Sequence, residues 1–321
     1  MPIGELLTFD EGDFEGAIDY SSSLRAVKLG AENKEAGFNF FAENEPHKSY
    51  IVIGTETSSK LVKWRLWINN FSLTREFKPN YLVEYDGKVY AIHVFDVTHL
   101  MKQGKNEFAV TSISLEPLVV NFVSSVLMYH VPHFHTKFSA MAGTLILRPS
   151  ESISFKNVER GYILLKNPNR SSLKVYGDSS LIAEVSNSKD AEEIETNENR
   201  VISLVHESNP SQPKCPAFVY LYYTTKTESP IIDLQVDGKV SNQRLFLSIE
   251  NESEIQLDKV LVNVMVNGIT VHFRSFGEVK SKSRIDYEVL LPKKGNVNVR
   301  VVGVKAGLRK MIDKEIEWNG P

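Results

Sequence analysis

Cysteine is nearly absent from this chain: Cys215 is the single one in 321 residues. No disulfide can close within the chain, which removes the small disulfide-stapled secreted folds and makes a reducing compartment the expectation. Long apolar runs are missing too, and none approaches the ~18 residues that a membrane-spanning helix needs. Met1-Pro2-Ile3-Gly4-Glu5 has neither the basic start nor the apolar core of a secretory leader, so a cytoplasmic location is expected. Neither sign of charge prevails: 37 Lys and Arg face 40 Asp and Glu, a net charge of −3. No overall field draws in nucleic acid, and such a partner is not expected. The chain holds no G-x-S-x-G, no H-E-x-x-H, no P-loop and no dinucleotide-binding glycine fingerprint. No cofactor is expected. Nor does any long segment repeat its apolar residues at helical spacing.

What the chain contains is strand pattern. Between Asn80 and Thr111 the order is hairpin, corner and strand. Tyr81–Tyr85 and Lys88–Val94 are β-rich runs joined by Asp86-Gly87, a dipeptide suited to the positive-φ positions of a type I′ turn. Asp96 can cap one helical turn through Thr98 and His99, with Leu100 and Met101 buried. Gly104 ends that turn, and Asn106–Val110 leaves as the next strand. Upstream, Val62, Trp64, Leu66 and Ile68 share one face at period two and mark a core, which leaves Lys63, Arg65 and Trp67 on the other face.

These residues carry a resemblance. Phe95-Asp96-Val97-Thr98, followed by Leu100, Gly104, Asn106, Phe108 and Val110, resembles the end of the sugar-binding jelly-roll domain of family 2 glycoside hydrolases, a member of the broad galactose-binding-like group. Such domains carry an apolar-Asn-Gly pattern on an upstream strand. Trp67-Ile68-Asn69-Asn70 stands in that place here, with Asn70 where the pattern has glycine. The resemblance covers roughly residues 15–145. It implies a jelly-roll sandwich that is an accessory in the enzymes, whose catalytic acids lie on a separate barrel; no such barrel is visible in this sequence.

The fold class expected is all-β, a multi-domain β-sandwich. Residues 1–149 are read as a jelly-roll or galactose-binding-like domain, 150–228 as a small middle β-domain, and 229–321 as an immunoglobulin-like sandwich. Val119–Met128 reads as a buried strand. Pro132 marks Tyr129–Phe138 as an edge or a loop. Arg148-Pro149-Ser150 is the place to change domain. In the middle region the acid-rich Asn187–Asn199 reads as a solvated loop. The last region offers seven strand candidates with Asn267-Gly268 as a tight hairpin turn, the spacing of an immunoglobulin-like or fibronectin-like sandwich.

Three constellations are candidates for function. Lys63, Arg65 and Trp67 put an indole beside a guanidinium, a pairing that can stack on a sugar ring or form part of a protein interface. His133 and His135, if extended, point to one side, and with His93 as a third ligand they would make a weak metal candidate. Pro132 disturbs regular pairing just before them, and no acid stands near them in sequence to support a ligand, so no metal site is expected. Finally, charge is asymmetric. Glu5, Asp10, Glu11, Asp13, Glu15 and Asp19 crowd the N-terminal stretch, whereas Lys280, Lys282, Arg284, Lys293, Lys294, Arg300, Lys305, Arg309 and Lys310 enrich the last domain. Asp86 and Asp96 read as turn and cap residues. The function expected is a non-catalytic interaction or scaffold protein, with a protein partner or its own copies as ligand. A carbohydrate-binding module is the first alternative, and a divergent glycosidase-related or metal-dependent enzyme the second.

Overall fold

The computed structural model describes residues 1–58, 62–74, 78–157, 159–197, 199–208, 215–305 and 308–318. The described residues are almost entirely antiparallel strands, with a single 3-10 turn at Thr98–Leu100. They form two compact units, Met1–Glu228 and Ser229–Pro321.

The first unit is a stack of four sheets with three cores between them. The outermost sheet orders Glu35–Ala42, Gly104–Ser112, Trp64–Ile68 and Phe71–Thr74. Next lies a six-stranded sheet of Ala17–Ser23, Leu118–Tyr129, Lys48–Thr57, Lys88–Asp96 and Tyr81–Tyr85, with Val27–Leu29 also paired to Leu118–Tyr129. The third sheet orders Ile3–Glu15, His135–Leu147, Ala217–Glu228, Arg160–Lys166 and Glu192–Asn197. The last holds Ser152–Lys156, Val201–His206, Leu173–Gly177 and Ser180–Val185.

This stacking explains the sequence. Ile51, Ile53, Val123 and Leu127 of the six-stranded sheet pack toward Trp64, Leu66 and Phe108 of the outermost one. Val52, Ile92, Phe122 and Val126 of the same sheet pack the other way, against Phe138, Ala140 and Tyr220. The five-stranded sheet is likewise covered twice, since Ile163, Leu165 and Val219 face Leu173, Val175 and Leu204 of the last sheet. A strand buried on both faces has no solvent side and loses its alternation, which is why Leu118–Tyr129 and Ala217–Tyr223 read as continuous apolar runs.

The five-stranded sheet draws strands from both sides of residue 149. Its middle strand, Ala217–Glu228, pairs with His135–Leu147 on one side and Arg160–Lys166 on the other. Two local expectations are corrected here. His135–Phe138 is neither edge nor loop, because its strand lies between Ile3–Glu15 and Ala217–Glu228; the turn that Pro132 marks is confined to 130–134. The acid-rich segment holds an edge strand, Glu192–Asn197, whose Ile194 and Thr196 are buried while Glu193 and Glu195 are exposed. Its acids are the solvent half of an alternating pattern, and charge is a common protection for an exposed sheet edge.

The corner forms as read. Asp86 and Gly87 take φ of 50° and 70°. Asp96 Oδ1 accepts hydrogen bonds from the Thr98 N–H at 3.0 Å and from the Thr98 hydroxyl at 2.6 Å, although Val97 rather than Asp96 occupies the N-cap position. Met101 is buried and Leu100 half-buried, both against the first core.

The second unit is a seven-stranded sandwich. Leu234–Ser241, Arg244–Asn251 and Ser283–Leu290 make one sheet. Ile269–Phe276, Lys259–Val266, Val297–Lys305 and Leu308–Ile316 make the other. Valine-rich alternation on Lys259–Val266 and Val297–Lys305 fills the core between them. Asn267 and Gly268 turn at φ of 50° and 77°, as a type I′ hairpin requires.

Candidate functional site

The outward face of the outermost sheet is the surface that the sequence singles out. Trp64 is 5% exposed and belongs to the core with Leu66 and Ile68, whereas the alternating residues turn away from it. Lys63 is exposed, and Arg65 and Trp67 are half-buried. Strand register supplies their neighbours. Trp67 pairs with Ala109, which pairs in turn with Gly37; Arg65 pairs with Thr111. Two residues without bulk thus lie beside the indole and form a low shelf across the sheet. The Trp67 Nε1–H donates to Thr111 Oγ1 at 3.1 Å, which ties the indole toward the neighbouring strand. Arg65 Nε is buried and makes no hydrogen bond among the described residues.

Further along the same face stand Lys105 and Glu107, paired at 2.7 Å, and Phe41, which is 66% exposed and sits opposite Lys105. An exposed ion pair of this kind adds little stability, but it completes a mixed apolar and charged surface. Sequence reading missed Phe41, Thr111, Ala109 and Gly37. Phe41 was within reach: in Phe38-Asn39-Phe40-Phe41 a strand cannot turn both adjacent aromatics inward.

The histidines are placed apart. His93 is buried in the six-stranded sheet, its ring 4.9 Å edge-on from Trp64 and its Nε2 3.4 Å from Thr55 Oγ1. Burial holds its pKa down, at about 4. His133 takes φ of 70° in the exposed turn, and His135 opens the following strand. An acid does stand beside them, contrary to the expectation from local sequence. Glu15 pairs with His135 across the sheet; its Oε1 accepts the His133 N–H at 2.9 Å, and its carbonyl accepts Nδ1–H of His130 at 2.9 Å. The His133 N–H donated to the carboxylate, together with the neighbouring imidazoles, draws Glu15 below its usual range. Among the described residues no group of three or more His, Cys, Asp or Glu is arranged to hold a metal ion.

Four of the basic residues of the last region pair with acids among the described residues, Arg284 within its own strand and the other three with acids of other strands or turns. Arg300 grips Asp313 through two hydrogen bonds of 2.7 and 2.9 Å. Arg284 pairs with Asp286, Lys282 with Glu254 and Lys305 with Asp258. The positive stretch seen along the chain is thus interleaved with negative charge in space. In the first unit, Asp10 of the acidic N-terminal stretch binds Lys48 at 2.7 Å. No helix among the described residues is long and apolar enough to cross a membrane.

No family model matches the chain, and no curated protein matches it. Among solved structures it is similar to a β-glucuronidase of Parabacteroides merdae, with 10% identity, a TM-score of 0.23, and coverage of 57% of this chain and 27% of that one. It is also similar to a β-glucuronidase of Ruminococcus gnavus, at 10% identity and a TM-score of 0.21, covering 54% and 35%. The chain spans about a third or less of the length of these enzymes. At these scores the likeness carries no argument about activity.

Proposed function

We propose that this chain is a non-catalytic binding protein whose partner docks on the outward face around Trp67. One observation carries the reading: a tryptophan tied by Nε1 to Thr111, beside the small Ala109 and Gly37, with Arg65 next to it and Phe41 on the same face. Aromatic residues and arginine concentrate binding energy at interfaces. A protein surface, either a partner or another subunit of an assembly, is the first reading, because the face combines an exposed phenyl ring with charges of both signs. A glycan is the second, favoured by the indole and guanidinium side by side over a low shelf.

The test uses the full chain and its Trp67→Ala and Phe41→Ser variants, applied to a glycan array and to affinity capture from the native cell. The first reading expects a protein captured by the wild type and lost with either variant. The second expects a glycan signal that Trp67→Ala removes and Phe41→Ser spares. Binding that survives both substitutions places the docking surface elsewhere and rejects the proposal.

A further inference from the structure

A cavity of about 380 Å³ lies in the first unit between the six-stranded and five-stranded sheets, well away in sequence from the Trp67 face. Its origin is a bulge. In the ladder between Leu118–Tyr129 and Lys48–Thr57, Val120 pairs with Thr55 and Phe122 with Gly54, so Asn121 is an extra residue. The ring of Phe122 lies on Gly54, where a Cβ would stand 2.1 Å from it. A bulge re-aims the residue it inserts, and Asn121 lines the cavity on the side where Phe122 meets Tyr220.

Asn121 is 1% exposed, and both its Oδ1 and Nδ2 are without a hydrogen-bond partner among the described residues. A buried primary amide with neither atom satisfied is costly, and native proteins rarely keep one without a reason. Lys166 also lines the cavity, half-buried, and forms no ion pair among the described residues. The acids nearby have other commitments. Glu56 binds Lys88 at 2.5 Å, Asp190 Oδ1 accepts the Ala26 N–H at 2.9 Å, and Asp86 sits in its hairpin turn. The rest of the lining includes an aromatic group: Tyr90 and Phe218 lie 5.0 Å apart, and Phe218 and Tyr220 are parallel at 6.1 Å.

We infer that this cavity binds a small monocarboxylate bearing an apolar ring or short chain. One carboxylate oxygen takes the Lys166 ammonium and the other the Asn121 amide N–H, while the apolar part lies on Tyr90, Phe218 and Tyr220. One cation and one amide match a single negative charge. A phosphate dianion needs more donors, and its second charge would meet Glu56 and Asp86, which also line the cavity, without a second free cation among the described residues to offset it; a cationic ligand would meet Lys166. The pattern of a mostly apolar cavity with a few convergent polar groups is that of small-molecule sites in general.

The experiment is calorimetric titration and thermal unfolding of the full chain with benzoate, phenylacetate and hexanoate, and with benzamide and benzylamine as neutral and cationic counterparts. The expected result is one-to-one binding of at least one carboxylate with a raised midpoint, since a ligand that binds only the folded state stabilises it. Benzamide and benzylamine bind at least about ten-fold more weakly. Lys166→Met and Asn121→Leu each weaken the carboxylate about ten-fold or more. Asn121→Leu also raises the midpoint of the unliganded protein, because it removes an unsatisfied buried amide. Should Lys166→Met fold poorly, the unmutated protein with ¹³C-methylated lysines provides the readout: the Lys166 signal shifts on adding the carboxylate. Absence of binding by all three carboxylates at about 10 mM, equal binding of benzamide, insensitivity to both substitutions, or an unmoved Lys166 signal overturns the inference.

Discussion

The side-chain amide of Asn69 donates to Oδ1 of Asn106 across 2.9 Å and to the Leu100 carbonyl at 2.9 Å, and these bonds close the corner between Lys88–Asp96 and Gly104–Ser112. Asn106 is fully buried and spends its whole side chain there: Nδ2 donates to the carbonyls of Lys102 and Gly104, and Oδ1 also accepts the Lys102 N–H. Asparagine offers donors and an acceptor on one short stem, and no other small residue does. Asn106→Ala should therefore lose about 3 kcal/mol of stability, since several backbone groups are left unsatisfied. Asn106→Asp should cost a similar amount, because a carboxylate cannot donate to the two carbonyls. Urea midpoints at constant slope measure both.

Asn69 and Asn70 turn at φ of 47° and 67°. Asparagine tolerates this region and glycine prefers it. Asn70→Gly is expected to stay within about 1 kcal/mol of the wild type, whereas Asn70→Val should lose about 1–2 kcal/mol to the left-handed conformation. Equal stability of the two variants would contradict the turn assignment.

The two tryptophans of the Trp64–Ile68 strand should separate cleanly. Trp64→Ala empties part of the first core and should cost about 3–5 kcal/mol. Trp67→Ala loses a hydrogen bond and half-buried contacts, and should cost under about 1.5 kcal/mol. A soluble quencher should reach the Trp67 fluorescence and spare that of Trp64.

His93 predicts a pH dependence. Its folded pKa, about 4, lies below the unfolded value of 6.5 because burial penalises the charged ring. The unfolded chain therefore holds more protons between these values, and stability rises with pH through that window. The contribution is complete above pH 6.5, falls progressively toward pH 4 and changes no further below it. The loss should amount to about 3 kcal/mol. His93→Phe, which keeps a ring against Trp64, should flatten this step when unfolding is followed in urea from pH 7 to 4.

Much of the architecture was legible because backbone demands are local. Asp86-Gly87 and Asn267-Gly268 announce their turns through positive φ, and Val62 to Ile68 declares its buried face by alternation. The strands of the second unit alternate along one core and can be counted. The stack of four sheets was harder to read, because doubly buried strands such as Leu118–Tyr129 carry no alternation that says what covers each face. Strands such as Glu192–Asn197 hide two inward residues among acids. The site was half legible. The period-two pattern places Arg65 and Trp67 together, but Thr111, the hydrogen-bond partner of Trp67, is 44 residues away, and Glu15 lies 118 residues from His133. Such pairings are set by strand order, which no local pattern encodes.

The edges of the five-stranded sheet bear on how copies of this chain behave in solution. With both faces covered, its unpaired backbone groups lie along Ile3–Glu15 and Glu192–Asn197. The first exposes Glu5, Glu11, Asp13 and Glu15, and the second Glu193 and Glu195. Two molecules that approach along these rims bring carboxylates together, and like charge opposes the joining of one ladder to another. That protection depends on ionisation. The solubility of the molecule is thus written on the rims of a sheet whose two faces are largely spent on packing against its neighbours.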